Sequence, residues 1–316
     1  MIEVLNGGTR ATIQDAGRPG YRHLGIPQSG AADNLSFALA NWMAGNRWDA
    51  PAIECALGGL HLRFTDSTTI ALAGAEMWAQ INGMNVKNFS PIPVEKGDIL
   101  TLSFARDGCR AYIAVAGGLK VTEFMGSAST YLPAEFGGHE GRALQTGDVL
   151  QVSNRPSEAP RKIPNGYTPK LSRHVVFRSR PAPEWEQMSA ASRRHLFVSP
   201  FIATPATDRM GSRLRGDKIE VESRNLSMAS SPLLPGTLQI PPDGHPILML
   251  ADGHCTGGYP RALQIIQADL WMLGQIAPGS QVSFRRCFSE NASKILKGRN
   301  SFYGGKYGGM IEGFAF

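Results

Sequence analysis

Along the chain, apolar residues recur in short runs of strand length, and stripes with helical spacing are few. Residues 69–73 (TIALA), 99–104 (ILTLSF), 111–116 (AYIAVA), 149–152, 247–251 and 282–284 predict strands, because short apolar or alternating runs match a half-buried or buried strand. Turn signals bracket them at Asn82-Gly83, Asp107-Gly108, Gly147-Asp148, Pro242-Asp243-Gly244 and Pro278-Gly279. Many strands at this spacing predict barrels or sandwiches. Three segments carry helical spacing. Residues 32–44 have Asp33 near the start, Leu35, Leu39 and Trp42 in register, and Gly45 as a stop. Residues 184–197 follow Pro183 and hold Trp185, Met188, Ala191 and Leu196, and residues 268–276 run up to Pro278 and Gly279.

Between residues 153 and 170 prolines recur (Pro156, Pro160, Pro164, Pro169) with little apolar content, which marks a linker. The chain therefore divides into a first β domain, residues 1–152, a linker, 153–170, a second β domain, 171–290, and a tail, 291–316. Both halves use an apolar strand, a glycine-rich turn and a closing turn, which points to a duplicated barrel. In the tail glycine alternates with aromatics, the pattern of a flexible end or of a segment that orders on a partner.

Composition narrows the function. The 316 residues are 42% hydrophobic and 18% charged, with 36 Gly and 21 Pro, which fits short strands and turns. The net charge is +6, but basic residues are dispersed and no run exceeds pairs such as Arg193-Arg194 and Arg285-Arg286, so no nucleic acid is expected. Cys55, Cys109, Cys255 and Cys287 form no CxxC pair, which predicts free thiols and no structural zinc. The start, MIEVLNGGTR, lacks the apolar core of a signal peptide, and AYIAVAGGL is too short to cross a membrane. A cytoplasmic protein is the expectation.

Polar chemistry concentrates in three places. In TIQDAGRPGYRHLGIPQSGAAD, residues 12–33, the groups Gln14, Asp15, Arg18, Tyr21, Arg22 and Asp33 lie among glycines and prolines that stiffen the loop. Arg18 offers a planar fork for a carboxylate, carboxamide or phosphate; alternatively Asp15 and Arg18 pair with one another and cap turns. Glu54 precedes a glycine pair in PAIECALGG. The stretch ADGHCTGGYPR, residues 251–261, places Asp252, His254 and Cys255 within four residues. Neighbours in extended backbone point to opposite faces, so His254 and Cys255 do not make a natural nucleophile–base pair, and they are too few for zinc. The chain has no GxxxxGK[ST] loop, no GxGxxG fingerprint and no Met-Lys-Met-like biotin acceptor.

The 12–33 segment resembles the TVQDxGRxGxRxxGxxxxGAxD signature of the biotin-dependent carboxyltransferase-like family. AIECALGG, YIAVAGGLKV, MGSASTYL, GGHEGRALQTGDVL, TDRMGSRL, PGTLQIPPDGHPILMLAD and TGGYPR follow in family order. That family includes the C-type subunit of 5-oxoprolinase, allophanate hydrolase subunit 2 and a segment of urea carboxylase. The resemblance implies a mainly β chain with a few helices, built as two cyclophilin-like β-barrel domains. It implies one component of an ATP-dependent 5-oxoprolinase, opening 5-oxoproline to glutamate with the B-type subunit as direct partner and with the A-type subunit. The alternatives are a carboxyltransferase-like component acting on urea, allophanate or another amide, or a non-catalytic regulatory partner of the B-type subunit. ATP is expected at the level of the complex, biotin only as a carrier from another chain, and no metal. By motif, Gln14, Asp15, Arg18, Asp33 and Glu54 would serve the site from the first domain. Arg209, Gln239, Asp243, Asp252, His254, Gly257, Gly258 and Tyr259 would serve it from the second, with Arg18, Asp252 and Tyr259 catalytic and the others binding substrate. His254 stands where the family commonly has Gln and Cys255 where it has Thr, departures that bear on the substrate more than on the fold.

Overall fold

The computed structural model describes residues 1–153, 157–164, 166–221 and 228–304. Its described residues form two compact units, one comprising Met1–Arg18 and Ser29–Leu171, the other Pro19–Gln28 and residues 172–304.

The first unit is two antiparallel sheets around one core. The six-stranded sheet runs in the order Val149–Leu150, Ile2–Gly7, Leu60–Phe64, Ile99–Thr101, Gln80–Ile81 and Met84–Asn85. The five-stranded sheet runs Arg10–Gln14, Ala52–Ala56, Asp107–Val115, Thr68–Glu76 and Ser90–Val94. Register follows the two-residue side-chain period: Ile2 opposes Phe64 and Val4 opposes Leu62, and all four face inward. They meet Ile13, Ile53, Ile70, Leu72 and Ile113 from the other sheet in one apolar cluster. Pro91 and Pro93 stand on the edge strand of the five-stranded sheet, where a missing N–H costs no ladder bond and discourages pairing with another chain.

Helix α1, Asn34–Met43, matches the predicted 32–44 segment because its end signals are strong. Asp33 accepts from the Ser36 N–H at 2.9 Å, and Gly45 stops the helix. Nine of its residues, from Leu35 to Met43, are buried, and it lies against Thr68–Glu76 and Asp107–Val115. A helix apolar on most of its circumference belongs inside a protein, and each large side chain such as Phe37 or Leu39 contributes roughly 1.5–3 kcal/mol on burial. The described part of the proline-rich linker returns to this helix. The Glu158 N–H donates to the Gly45 carbonyl at 2.8 Å, the Arg161 N–H to the Met43 carbonyl at 3.0 Å, and the Arg161 guanidinium lies 5.3 Å from the Trp42 ring. Gly45 is required there: with φ at 78°, an added Cβ would sit 2.0 Å from the Glu158 carbonyl oxygen. Pro156 falls outside the described residues.

The second unit holds a closed seven-stranded barrel. Its order is His174–Pro181, Arg261–Ile265, Thr237–Gln239, Ile247–Met249, Gly211–Arg215, Phe201–Thr207 and Gln281–Arg286. A parallel pairing between the first and last of these, Phe177 opposite Phe284, closes it and leaves no edge. Phe177, Phe201, Phe284, Leu238 and Leu248 fill the interior.

The segment predicted as one helix over 184–197 is two pieces. A 3-10 turn, Trp185–Gln187, ends at Met188, and α2, Ala190–Val198, restarts with the Ser189 hydroxyl accepting from the Ser192 N–H at 3.1 Å. Residues 268–276, also predicted as a helix, are 3-10 in the run Gln267–Gln275. The 291–316 tail begins as ordered structure: α3, Ser289–Gly304, packs Ile295 and Leu296 against Ile266, Ala268 and Cys287, and Arg299 donates to the Ala268 carbonyl at 3.0 Å. Residues 305–316 lie outside the described part. No described helix is long and apolar enough to cross a membrane.

Asp148 gives the first unit a measurable acid sensitivity. Its carboxylate accepts from both terminal nitrogens of Arg142, at 2.7 and 2.8 Å, and from the Gln145 N–H at 2.8 Å. The Arg142 fork holds this carboxyl at a pKa of about 2. A group whose pKa is depressed by folding stabilises the fold above its unfolded value and loses that contribution as pH falls through its folded value. Urea unfolding of the wild type should therefore weaken between about pH 4 and pH 2 by at most about 2 kcal/mol from this group. Asp148→Asn should flatten that part of the curve, and an unchanged pH profile would contradict the assignment.

Candidate functional site

The loop that leaves the strand Arg10–Gln14 is tied down by one carboxylate. Asp15 Oδ1 accepts from the Gly17 N–H at 2.8 Å, from the Ser127 hydroxyl at 2.6 Å and from the Ser129 hydroxyl, and Oδ2 accepts from the Ala128 N–H at 2.6 Å. The Asp15 N–H donates back to Ser129 Oγ at 3.1 Å. These donors use most of what a carboxylate can accept, so Asp15 knots two loops together. Gly137 and Gly138 cross the knot closely: an added Cβ would sit 2.1 Å from the Ser129 carbonyl oxygen at one and 1.9 Å from Thr130 Oγ1 at the other.

The knot fixes its two polar neighbours. Arg18 is fully buried, donates to the Ser129 carbonyl and holds its guanidinium 4.8 Å from the centre of the Phe136 ring. Gln14 is also fully buried, and its amide donates to Thr12 Oγ1 at 3.1 Å and to the Thr130 carbonyl at 3.2 Å. Those two acceptors settle which end of the amide is nitrogen. Gln14 Oε1 then has no donor among the described residues, and a buried carbonyl in that position invites an N–H from a ligand or water.

Asp33 and Glu54, the other two acids that the motif singles out in this unit, bond to backbone and side chains around α1. Asp33 caps α1, its second oxygen accepting from the Ser36 hydroxyl at 2.6 Å. Glu54 Oε2 accepts from the Ala32 N–H at 2.9 Å and the Tyr112 hydroxyl at 2.8 Å, and Oε1 lies 3.3 Å from Arg110 Nε. Tyr112 in turn accepts from the Asp33 N–H at 2.7 Å. Burial, reinforced by the Glu54 and Asp33 charges, pushes the Tyr112 hydroxyl well above the usual tyrosine range, so it remains a donor. Cys55 is pushed up to about 12 by burial and Cys109 is raised by the same cause, which leaves both as inert thiols.

In the second unit the 251–261 loop is assembled from side chains of both signs. Arg209 and Asp252 form a buried fork, Nε to Oδ2 at 2.7 Å and Nη2 to Oδ1 at 2.9 Å, so the Asp252 carboxylate faces its own arginine. Gln239 Nε2 donates to the Tyr259 carbonyl at 3.1 Å. Gly257 and Gly258 leave no room for a side chain: an added Cβ would meet Leu233 Cδ1 at 2.6 Å in the first and the Met228 carbonyl oxygen at 2.9 Å in the second. Tyr259 is 39% exposed, which leaves its hydroxyl within reach of a ligand. His254 is exposed and Cys255 buried, so the two side chains do not share one environment. Asp243 accepts from the His245 N–H at 3.0 Å in its own turn and lies 3.7 Å from Arg213.

Two residues that sequence reasoning left without a role hold this loop. Arg261 places Nε and Nη2 on the two Glu184 oxygens, both at 2.7 Å, and donates Nη1 to the Pro232 carbonyl at 2.9 Å. Arg22 donates to the next carbonyl, Leu233. Together they grip the short strand Ser231–Pro232, which pairs with Thr256–Gly257. The Arg261 fork holds the Glu184 carboxyl below its ordinary range. Arg261 directly follows GGYP, a signal available in the sequence, but its partner lies 77 residues away and that of Arg22 211 away. Among the described residues no group of three or more His, Cys, Asp or Glu gathers as a metal site.

With this geometry in place, the likeness to known proteins is specific. The family model "Carboxyltransferase domain, subdomain A and B" matches residues 24–286. The C-type subunit of 5-oxoprolinase from Escherichia coli (strain K12) is 36% identical over 305 residues, covering 96% of each chain. Its counterpart of the same name from Haemophilus influenzae is 35% identical over 303 residues, again 96% of each. The crystal structure of the Kluyveromyces lactis urea carboxylase superimposes with a TM-score of 0.92 at 29% identity, over 96% of this chain and 29% of the longer one.

The carboxylate knot and the exposed tyrosine should separate cleanly on mutation. Asp15→Asn places an N–H₂ among donors and should lower unfolding stability by about 2–4 kcal/mol. Tyr259→Phe should stay within about 0.5 kcal/mol of wild type. Equal melting curves for Asp15→Asn and wild type would remove Asp15 from its structural role.

Proposed function

The chain belongs to the carboxyltransferase domain family of subdomains A and B, and on that footing we propose that it is the C-type subunit of an ATP-dependent 5-oxoprolinase. In this reading it is a cytoplasmic component that opens 5-oxoproline to glutamate together with the A-type and B-type subunits. The observation that carries the reading is the end-to-end match to a protein of that name, with nearly the whole of each chain aligned.

Opening 5-oxoproline breaks a lactam C–N bond, and the lactam offers one N–H donor and one carbonyl acceptor. In the first unit, Gln14 Oε1 accepts an N–H of that kind, its direction set by the two bonds its own amide makes. Arg18, immobilised by the Ser129 carbonyl and Phe136, supplies positive charge that favours electron density on a nearby carbonyl oxygen. In the second unit, Tyr259 presents a hydroxyl that can donate or accept, and Gln239 holds its backbone. Asp252 and Glu184 act as positioning residues through Arg209 and Arg261.

ATP hydrolysis supplies the driving force, and its contacts belong to a partner chain. Two features support that placement: α1 opens on the Asp33 carboxylate, which opposes a phosphate at that helix end, and the sequence has no GxxxxGK[ST] loop. Biotin, if the complex uses it, is likewise carried by another chain. The runner-up reading, carboxyl transfer to urea or a related amide, is favoured by the close superposition on urea carboxylase.

Reconstitution tests both. Glutamate release from 5-oxoproline and ATP should require this chain as well as the A-type and B-type subunits. Gln14→Leu, which keeps size and removes the acceptor, should lower kcat/KM about tenfold or more, the equivalent of one lost hydrogen bond in the transition state. Full turnover without this chain, or an unaltered rate in Gln14→Leu, contradicts the proposal; urea-dependent turnover with a biotin carrier supports the runner-up.

A further inference from the structure

A cleft in the first unit shares no residue with these networks. It encloses about 510 Å³ and is lined by Glu76, Trp78, Val86, Lys87, Phe89 and Asp107, with Pro169 and Leu171 of the returning linker on one side. That volume is in the range of ordinary small-molecule sites.

Two aromatics are fixed in the cleft by unusual backbone. Trp78 has φ of 47° and Phe89 φ of 56°, the left-handed region that costs a bulky residue roughly 1–3 kcal/mol. Both are held there. The Trp78 N–H donates to Glu76 Oε1 at 3.0 Å, and the Phe89 N–H donates to Asn88 Oδ1 at 3.0 Å and to the Leu72 carbonyl at 2.8 Å. The result is a main chain fixed on both sides of the cleft, carrying an indole that stays 51% exposed.

The charges on the rim have opposite signs and do not neutralise one another. Asp107 lies 3.7 Å from Arg106. Glu76 uses one oxygen on the Trp78 N–H and makes no ion pair among the described residues, and Lys87 makes none either. A carboxylate and an ammonium on one cavity, too far apart to pair, flank aromatic walls. We propose that this cleft binds a small zwitterion of the α-amino acid class: its ammonium meets Glu76, its carboxylate meets Lys87, and an apolar side chain lies against Trp78 and Phe89. The site is independent of the 5-oxoprolinase reading.

L-phenylalanine is the probe, titrated into the full-length chain by calorimetry and by indole fluorescence. Saturable binding is expected with a Kd of about 1 mM or tighter. L-phenylalaninamide, which lacks the carboxylate, and 3-phenylpropanoate, which lacks the ammonium, should each bind at least about tenfold more weakly. Glu76→Gln keeps an acceptor for the Trp78 N–H and removes the charge; it and Lys87→Met should each weaken phenylalanine about tenfold, and Trp78→Ala should abolish the fluorescence change. All three variants should retain the wild-type circular dichroism spectrum. No saturation up to about 10 mM, equal affinity for either one-charge analogue, or unchanged binding in Glu76→Gln and Lys87→Met would overturn the proposal.

Discussion

The bonding of one buried carboxylate governs the candidate site of the first unit. A carboxylate withdrawn from water is costly unless donors replace its hydration, and Asp15 collects them from two backbone N–H groups and two serine hydroxyls. The loop that carries Gln14 and Arg18 cannot move without breaking bonds to Ser127, Ala128 and Ser129. Local geometry therefore becomes chemistry: Gln14 Oε1 and the Arg18 guanidinium hold fixed directions because a third residue, Asp15, ties their loop to Ser127, Ala128 and Ser129. Reactions that rely on preorganised dipoles need this rigidity, since reorientation during the reaction would forfeit their advantage.

The second unit solves the same problem with arginines. Arg261 and Arg22 donate to adjacent carbonyls, Pro232 and Leu233, and Glu184 orients the first of them. Glycines at 257 and 258 let the paired strands approach more closely than any side chain would permit. Tyr259 then stands on a braced loop with its ring half in solvent. In both units the charged residues nearest the motifs mostly organise backbone, and the groups left to meet a ligand are neutral or already partly bonded.

Much of the fold was legible because its determinants are local. Asp33 and Gly45 mark α1 within a residue or two, and the apolar run 282–284 falls within the strand Gln281–Arg286. Legibility failed where a distant partner decided the outcome. The predicted strand 99–104 ends at Thr101 because the Ser103 N–H turns to the Met77 carbonyl at 2.7 Å, leaving Phe104 72% exposed. The helix expected over 184–197 breaks because Glu184 is committed to Arg261 and Ser189 caps a fresh start. The candidate site shows the same limit. The polar residues of the 12–33 loop were recognisable as a group, but only the fold shows that Asp15, Asp33 and Glu54 bond to their own chain while Gln14 Oε1 meets no donor among the described residues. The Trp78 cleft had no sequence signal, since it depends on left-handed backbone at two residues that ordinarily avoid it.

Hydrogen–deuterium exchange at the Gly17 and Ala128 amides addresses the bracing of the 14–18 loop most directly. If their protons are locked onto Asp15, both should exchange on the slow time scale of the surrounding sheets, through global or near-global opening. Exchange as fast as that of exposed loop amides would show a loose loop, and the fixed orientation claimed for Gln14 and Arg18 would fall with it.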